Sequence, residues 1–320
     1  MIFDLVDKVI KGDGLSKEEA EVLIHRDLYE VLFCANKIRE HFKGNKVFAC
    51  SIINAKSGLC SEDCAFCAQS KYHNTHIKVY PLLSVSELVK EGEKMAENGA
   101  LRFSFVTSGK KLSKREIDTI CEAAHTLTQQ TGLKICASLG MLDEDYALSL
   151  KQAGIVRYHH NLETSRSFFK NVCTTHEYDD DLKTIDVSKG VGLEVCSGGI
   201  VGLGENFSQR IELAFLLREL DVDSIPINFL HPIKGTKLEH MKLIPPKDAL
   251  LTISIFRFLN PDKDITICGG RELCLRDLQS WIFFAGATGV MIGNYLTTRG
   301  REIKDDLKMI EDIGLEIGIE

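Results

Sequence analysis

The sequence predicts an α/β fold, a (β/α)8 barrel of the TIM type with parallel strands and an N-terminal helical extension. Short apolar segments alternate along the chain with amphipathic, helix-like segments, and eight apolar segments occur in this alternation. Strands that alternate with helices favour a parallel sheet, and eight of them close most simply into a barrel. The length of 320 residues suits one such domain. We therefore expect residues 1–320 to form a single barrel domain.

The extension covers residues 1–45, which are predicted to be helical. Within it, Ser16 and Glu19 have the spacing of a capping box, in which the serine is the N-cap of a helix. Leu15, just before the cap, is positioned to pack against the first turn of that helix.

Each predicted strand is short, rich in β-branched or aromatic residues and bounded by helix-like segments. We see no linker, low-complexity tract or internal repeat that would divide the chain. The predicted strands cover residues 47–53, 102–107, 133–138, 156–161, 192–197, 224–228, 264–268 and 289–292. Helix-like segments between them include residues 84–98, 112–129, 143–153, 207–219 and 247–258.

The composition argues against several classes of function. A formal net charge of −7 and the lack of a basic run argue against a nucleic-acid partner. The first residues lack the basic and apolar regions of a signal peptide, and no apolar stretch is long enough to span a membrane. Eleven cysteines without a secretory signal are typical of thiols and metal sites in a reducing compartment. We therefore expect a cytoplasmic protein without a membrane partner.

The most informative segment is the loop after the first strand, which contains Cys60, Cys64 and Cys67. Structural zinc usually takes four protein ligands, and this loop supplies three. Three thiolates suit a 4Fe–4S cluster whose fourth iron stays open. A zinc site completed by His73 or His76, or three merely reduced thiols, are the alternatives. In a barrel, the loop lies at the carboxyl ends of the strands, where active sites are built.

Three further cysteines lie near the ends of separate predicted strands. Cys136, Cys196 and Cys268 can converge inside a barrel because alternate side chains of each strand point inward. Free cysteine is also a common small core residue. The residues alone therefore leave a second metal site and ordinary core packing as open alternatives.

The Cys60 loop resembles the signature of the radical S-adenosylmethionine enzymes, in which the open iron binds the amino and carboxylate groups of the cofactor. Phe66 matches an aromatic residue that packs near the adenine in those enzymes. Four longer strings, at residues 54–60, 158–165, 195–205 and 225–228, resemble the biotin synthases. The similarity extends from about residue 20 to about residue 310.

This resemblance implies a transferase of biotin biosynthesis that inserts sulfur into dethiobiotin by a radical reaction. S-adenosylmethionine would be cleaved at the 4Fe–4S cluster, and the sulfur would come from an auxiliary iron–sulfur cluster inside the barrel. The family also implies a one-electron donor such as flavodoxin or ferredoxin, and a homodimer. No side chain is expected to act as an acid or base catalyst.

The resemblance also implies roles for residues near the strand ends. Gly198, Ile200 and Gly202 match the segment beside the adenine, although a strand-to-helix turn explains these glycines equally well. Asn161 and Glu163 would contact the cofactor, with Glu163 on the ribose where the family normally has aspartate. Asn161 and Asn228 match asparagines that hold the ureido ring of dethiobiotin, and an amide offers both a donor and an acceptor.

The auxiliary-cluster residues depart from the family pattern. Ser104 stands where the family has a cysteine, and Thr266 where it has an arginine ligand. Cys268 lies two residues beyond Thr266, which places its thiol about 7 Å nearer the active-site face of the strand. Cys136, Cys196 and Cys268 therefore favour a 4Fe–4S-type cluster with an open or sulfide-bearing iron. A 2Fe–2S cluster, which needs four ligands, would have to recruit Ser104 or another oxygen.

Other departures concern charged residues and the remaining cysteines. The run Asp179–Asp181 replaces an arginine that contacts the cofactor carboxylate in the family, and His159 replaces an asparagine. Arg271 matches a family arginine, with a salt bridge at the barrel rim as the alternative. The other five cysteines are expected to be core or incidental surface residues: Cys34, Cys50, Cys121, Cys173 and Cys274.

Two other functions remain as alternatives. A related radical enzyme of the maturase or mutase type would cleave S-adenosylmethionine without inserting sulfur. A non-catalytic iron–sulfur sensor would not cleave it, and would leave the glycine-rich and asparagine-containing strings unexplained.

Overall fold

The computed structural model describes residues 2–318. It confirms the predicted barrel: eight staves of parallel strand form a closed sheet, because β1 pairs with both β2 and β9. One stave consists of two short strands, β5 and β6, which both pair with β7. The strands are β1 (Lys46–Lys56), β2 (Arg102–Thr107), β3 (Lys134–Ser138), β4 (Ile155–His159), β5 (Glu194–Cys196), β6 (Gly199–Val201), β7 (Ser224–Phe229), β8 (Asp264–Ile267), β9 (Gly289–Met291) and β10 (Glu316–Ile317). The last of these pairs only with the start of β1.

Helices cover the outside of the barrel and form the predicted N-terminal extension. In the described range they are α1 (Ile2–Ile10), α2 (Lys17–Val22), α3 (Leu28–Lys43), α4 (Val85–Glu97), α5 (Lys114–Gln130), α6 (Glu144–Gln152), α7 (Tyr178–Gly190), α8 (Phe207–Glu219), α9 (Pro246–Leu259), α10 (Arg271–Leu275), α11 (Trp281–Phe284) and α12 (Ile303–Asp312). Short 3-10 helices occur at Leu23–His25, Phe169–Asn171 and Arg276–Leu278. None of these helices is long and apolar enough to cross a membrane.

The local sequence explains how the helices begin. The capping box before α2 forms as predicted: the Glu19 amide donates to Ser16 Oγ at 3.3 Å, and the Ser16 amide donates to Glu19 Oε2 at 2.8 Å. Helix α9 is buried continuously from Ala249 to Leu259 because it is packed between α3 and α8. The sequence did not predict α7, whose buried positions include Asp181, Thr184 and Ser188 rather than a continuous apolar stripe.

The interior of the barrel contains charged residues as well as apolar ones. Arg102 and Arg157 are both buried, and their guanidinium groups reach the same carboxylate, Glu194, at 3.2 and 2.7 Å. Arg157 also approaches Asp264 at 3.7 Å. Because β2, β4, β5 and β8 each contribute one of these residues, the charges form a layer across the barrel. This layer places the positive charges of Arg102 and Arg157 next to the neighbouring part of the barrel interior.

A second buried ion pair joins the last helix to the barrel. Arg271 and Asp306 are both fully buried, and their charged groups are 2.5 Å apart. Arg271 also donates to Gln279, and Arg301 reaches the other oxygen of Asp306 at 3.3 Å. The salt bridge that was the alternative for Arg271 is therefore present, and it lies inside the protein.

We expect Asp306→Ala to lower the free energy of unfolding by about 3 kcal/mol, because it leaves the Arg271 charge buried without its closest anion. Urea unfolding of the purified protein measures this change. Asp305→Ala, at the exposed neighbouring position of α12, is the control and should change stability by about 0.5 kcal/mol or less. Equal effects of the two substitutions would contradict the role given to the buried pair.

Candidate active site

A cavity of about 430 Å³ opens at the carboxyl end of the barrel. Its wall includes the cysteine loop after β1, the ends of β4 and β7, and the segments that follow them. Most of the residues singled out in the sequence contribute to this one wall. They are Cys60, Cys64, Phe66, Cys67, Asn161, Glu163, Ile200, Asn228 and Cys268.

The loop that carries Cys60, Cys64 and Cys67 is folded back on itself by backbone hydrogen bonds. The Cys60 amide donates to the Gln69 carbonyl at 2.9 Å, and the Lys71 amide donates to the Cys60 carbonyl at 2.9 Å. The Cys67 amide donates to the Cys64 carbonyl, also at 2.9 Å. These bonds hold the three partly exposed cysteines at the cavity, as a cluster with three protein ligands requires.

Two acidic residues inside the loop attach it to the segment before α7. Asp63 accepts hydrogen bonds from the Thr174 amide at 2.8 Å and from the Thr174 hydroxyl at 2.6 Å. Burial opposes the charge of Asp63, but these bonds hold its pKa well below its usual range. Glu62 accepts from the Thr175 hydroxyl at 2.8 Å and contacts His176 at 2.7 Å. The cluster loop is therefore positioned by carboxylates that stay ionised.

The acidic run at the start of α7 has two different surroundings. Asp179 is exposed and pairs with Arg166 at 2.7 Å. Asp181 is buried between two histidines: His160 at 2.9 Å and His176 at 3.2 Å. Burial opposes a charge on His176, but hydrogen bonds with Asp181 and neighbouring groups raise its pKa to about 11. A protonated histidine therefore stands in the wall of the cavity where the sequence had shown only acids.

Cys173 lies beside the cluster loop, although the sequence predicted only a core or incidental role for it. Its thiol is hydrogen-bonded to that of Cys64, and it also contacts His176 Nδ1 at 3.3 Å. Ligand atoms of Glu62, Cys173 and His176 lie within 4.8 Å of one another, a spacing that a metal ion accepts. His73, one of the two histidines that the zinc alternative required, instead contacts the Cys67 carbonyl oxygen through Nδ1 at 2.8 Å.

The inner cysteines converge in the barrel, and a fourth thiol joins them. Cys136, Cys196 and Cys268 are all buried, as is Cys50 on β1. The Cys50 and Cys268 thiols are hydrogen-bonded to each other, and this bond lowers the pKa of Cys50 and raises that of Cys268. Cys50 is close enough to Cys136 and Cys196 to raise the pKa of both, although burial is the main cause. Cys50 is therefore buried, as expected, and it also lies beside the inner cysteines, which the sequence did not predict.

The surroundings of these thiols fit an absent polar group. The Ser104 hydroxyl and His159 Nε2 are buried and have no hydrogen-bond partner among the described residues. Ser104 is beside Cys136 in the strand register, and His159 is beside Cys196. Burial, with the cations Arg157 and Arg102, lowers the pKa of His159 to about 3, so its ring is neutral. Unsatisfied polar atoms beside clustered thiols are expected where a metal cluster completes the site.

The glycine-rich segment after β5 approaches the protein's own backbone closely. A Cβ atom at Gly198 would lie 2.1 Å from the Pro226 carbonyl oxygen, which no side chain tolerates. Gly202 has a φ of +100°, in the region that favours glycine. Neither glycine lines the cavity, whereas Ile200 does, and Ile200 packs with Phe66 in a small apolar cluster. The structure thus explains these glycines by local packing and gives the cavity an apolar side.

Three polar side chains lie beside this apolar side. Asn228 is the register partner of Ile200, and the Ile200 amide donates to the Glu163 carbonyl at 2.8 Å. The Asn228 amide donates to the Gly199 carbonyl at 3.4 Å and accepts from the Gly269 amide at 3.0 Å, so backbone groups hold this side chain. Asn161 Nδ2 donates to Glu163 Oε2 at 3.4 Å, and Glu163 has a φ of +61°, a strained conformation for a residue with a side chain.

Comparison with known proteins assigns the family. Residues 56–217 match the model of the Radical SAM superfamily, and residues 226–316 match that of the Biotin and Thiamin Synthesis associated domain. The chain is 51% identical over 317 residues to the biotin synthase of Geotalea daltonii, covering 98% of this chain and 96% of that protein. The biotin synthase of Geobacter sulfurreducens gives the same identity and coverage. The chain belongs to the biotin synthase family.

Solved structures of lower identity support the fold. Methylornithine synthase superposes with a TM-score of 0.85 at 21% identity, over 98% of this chain and 97% of that one. The FeFe-hydrogenase maturase HydG from Carboxydothermus hydrogenoformans gives a TM-score of 0.82 at 17% identity, over 98% of this chain and 78% of that one. These likenesses show the same barrel architecture as the biotin synthase family.

The resemblance implied a cysteine at the position of Ser104 on β2. The neighbouring strand β1 carries Cys50, whose register partner on β2 is Arg102. Cys50 and Ser104 thus occupy adjacent strands and successive inward layers of the barrel. The two-residue alternation along β1 is a sequence signal that would have placed Cys50 inward with Ile52. No local sequence pattern indicated a role for Cys173 and His176, because the loop residues that they contact, Cys64 and Glu62, are far away in the chain.

Glu163 predicts a pH dependence of stability for the cluster-free protein. Burial, and then the Asp181 carboxylate, raise the pKa of Glu163 from 4.5 to about 8. The folded state keeps a proton that the unfolded chain releases above pH 4.5, so this group's contribution to stability falls as pH rises from 4.5 to about 8. We expect Glu163→Gln to flatten the fall, measured as the free energy of unfolding in urea under anaerobic conditions. Glu97→Gln, at an exposed helix end, should leave the profile unchanged; an unchanged profile in Glu163→Gln would refute the assignment.

Proposed function

We propose that the protein is a biotin synthase, which inserts sulfur into dethiobiotin by a radical reaction and consumes S-adenosylmethionine. The observation that carries this proposal is the identity of 51% over 98% of the chain to a named biotin synthase, together with a cavity lined by Cys60, Cys64, Cys67 and the inner Cys268. The electron would come from a carrier such as flavodoxin or ferredoxin.

Cys60, Cys64 and Cys67 are proposed to hold a 4Fe–4S cluster. When bound, this cluster supplies an electron and an open iron, so that S-adenosylmethionine is cleaved to methionine and a 5′-deoxyadenosyl radical. The protein fixes the three thiols through the Gln69 and Lys71 backbone contacts. Its further task is to exclude water and to hold the substrate carbon near the cofactor, because a primary radical attacks the nearest available hydrogen.

The cofactor is proposed to lie against Phe66 and Ile200, with Glu163 and Asn161 nearby. Phe66 and Ile200 would pack against the adenine, and Gly198 and Gly202, which do not line the cavity, would only let the segment that carries Ile200 follow its course. Glu163 would hydrogen-bond the ribose, and Asn161 would contact the cofactor as well as the substrate. His176 adds a positive charge next to the acidic run, with a pKa of about 11, but both of its ring nitrogens are bonded to Glu62 and Asp181, so another residue would have to contact the cofactor carboxylate.

Dethiobiotin is proposed to bind deeper in the cavity, with its ureido ring on Asn161 and Asn228. Each amide has a donor and an acceptor, which match the N–H and C=O groups of a cyclic urea. Both side chains line the cavity together with Cys268, the inner cysteine nearest to it. This order would place the substrate between the two groups of thiols.

The auxiliary cluster is proposed to be bound by Cys136, Cys196 and Cys268, with Cys50 as a fourth thiolate. The group would supply the sulfur that enters the product. Arg102 and Arg157 offset the negative charge of the thiolates inside the barrel. With Cys50 there are four thiols, which is the number of ligands that a 2Fe–2S cluster needs. We favour the 4Fe–4S type, in which Cys50 covers the fourth iron when no extra sulfide occupies it.

The function is tested by incubating the anaerobically reconstituted protein with S-adenosylmethionine, dethiobiotin and a chemical reductant. We expect methionine, 5′-deoxyadenosine and biotin, and we expect Cys64→Ala to form none of them because the radical cannot be generated. Cys34→Ala, a buried cysteine of α3, is the control and should retain activity. Cleavage without biotin would favour a maturase or mutase, and no cleavage would favour a sensor.

The auxiliary site is tested by iron and sulfide counts with Mössbauer spectra. We expect about eight irons per chain in the wild type, as two 4Fe–4S-type clusters require, and about four in Cys268→Ala. Cys50→Ala should keep about eight irons but change the Mössbauer spectrum of the inner cluster, because Cys50 would bind only its fourth iron. Cys34→Ala should match the wild type in both count and spectrum. About six irons in the wild type would indicate a 2Fe–2S cluster, and a wild-type spectrum in Cys50→Ala would remove Cys50 from the ligand set.

A further inference from the structure

An apolar surface surrounds the first cysteine of the cluster loop. Leu59, which directly precedes Cys60, is 75% exposed, and Tyr72 and Val79 are 56% and 55% exposed. Leu59 also has a φ of +52°, where a residue with a side chain is strained. Leu59 is not buried and its backbone is strained, so the stability of the fold does not explain a leucine at this position. Exposed apolar side chains that lie together instead mark contact surfaces.

These three residues lie together because their segments are hydrogen-bonded side by side. Ser57 pairs with Tyr80 as an antiparallel bridge, which sets Val79 against the residues just before Leu59. A Cβ atom at Gly58 would lie 2.7 Å from Val79 Cγ2, so the valine covers this glycine. On the other side of Leu59, the Lys71 amide donates to the Cys60 carbonyl at 2.9 Å, which brings Tyr72 alongside.

The charges around this surface are positive. Lys71 and Lys78 are exposed, and the Lys71 ammonium lies 5.2 Å from the centre of the Tyr72 ring. The only acids from residue 57 to residue 80 are Glu62 and Asp63, which are buried and face Thr174, Thr175 and His176. Since the whole chain carries a formal net charge of −7, this patch has the opposite sign to the protein as a whole.

A neighbouring loop adds two lysines to this surface, and its one acid, Glu239, is bonded to the Gly235 amide at 2.6 Å and pairs with His240. Gly235 packs against the Asn74 carbonyl so closely that a Cβ atom would lie 2.1 Å from it. This contact fixes the loop that carries the exposed Lys234 and Lys237 beside the segment from Lys71 to Val79. Lys237 also reaches Asp63 of the cluster loop at 3.5 Å. Four lysines therefore flank the apolar residues.

We propose that Leu59, Lys71, Tyr72, Lys78 and Val79 form a docking surface for an acidic one-electron carrier protein. The inference deepens the proposed function, because it names the surface through which the cluster on Cys60, Cys64 and Cys67 is reduced. One electron leaves the reduced carrier, which is oxidised by one unit, and enters the cluster, which is reduced by one. A small apolar contact with complementary charges suits such a partner, since electron-transfer complexes are small and depend on charge for rapid encounter.

The test compares two reductants in one assay of 5′-deoxyadenosine formation. The variant Lys71→Glu/Lys78→Glu reverses the charge beside Leu59, and Lys183→Glu/Lys304→Glu, on the outer helices α7 and α12, is the control with the same change in net charge. With dithionite, we expect both variants to react within about twofold of the wild type. With a reduced acidic flavodoxin, we expect the KM for the carrier to rise about tenfold or more in the first variant only.

An unchanged KM for flavodoxin, or an equal rise in the control, would overturn the proposed surface and leave the proposed function standing. A wild type that forms no 5′-deoxyadenosine with dithionite would instead contradict the proposed function itself. If the Lys71→Glu/Lys78→Glu variant fails to bind its cluster, the salt dependence of the wild-type rate tests the proposal instead. Its flavodoxin-driven rate must fall as salt rises from about 50 to about 500 mM while the dithionite-driven rate does not, and a salt-independent rate would overturn the proposal.

Discussion

The closure of the sheet, in which β1 pairs with β2 on one side and β9 on the other, is the constraint on which the site depends. In a closed parallel sheet the register of each pair fixes which side chains point inward and at what height. Cys136 stands beside Ser104 on one side and Arg157 on the other, and Cys196 stands beside His159, only because these registers are fixed. A shift of one residue in any strand would turn its inward side chains toward the helices.

Charge explains why sulfur and arginine occupy the same part of the barrel. Arg102 and Arg157 share Glu194, and Arg157 also approaches Asp264 at 3.7 Å, so two carboxylates face the two arginines. Thiolates bound to a cluster would add negative charge beside these arginines, whose positive charge lowers the cost of burying it. The same reasoning applies at the cavity mouth, where the positive His176 is held between Glu62 and Asp181. Each group of cysteines is thus accompanied by a cation that the surrounding hydrogen bonds keep in place.

Sequence reasoning succeeded where the signal was local. The eight strands and the capping box at Ser16 follow from short-range periodicity and spacing, and the structure confirms them. Helix α7 was not predicted because its inward face is polar, so it shows no helical stripe of apolar residues. The nearness of Cys50 to the inner cysteines was not predicted, because it depends on the register between neighbouring strands, which no local pattern shows. Contacts such as that of Cys173 with Cys64 join residues far apart in the chain, and no local pattern records them.

The four inner thiols, those of Cys50, Cys136, Cys196 and Cys268, lie on or directly after four different strands of the barrel. Substitution of a single residue can therefore add or remove a thiol without moving the backbone. Cys50 on β1 and Ser104 on the neighbouring strand β2 illustrate this. The barrel acts as a fixed frame on which ligand positions can be exchanged one at a time during evolution. Members of one family can then diverge in the inorganic chemistry of the interior while the outer helices and the cluster loop stay the same.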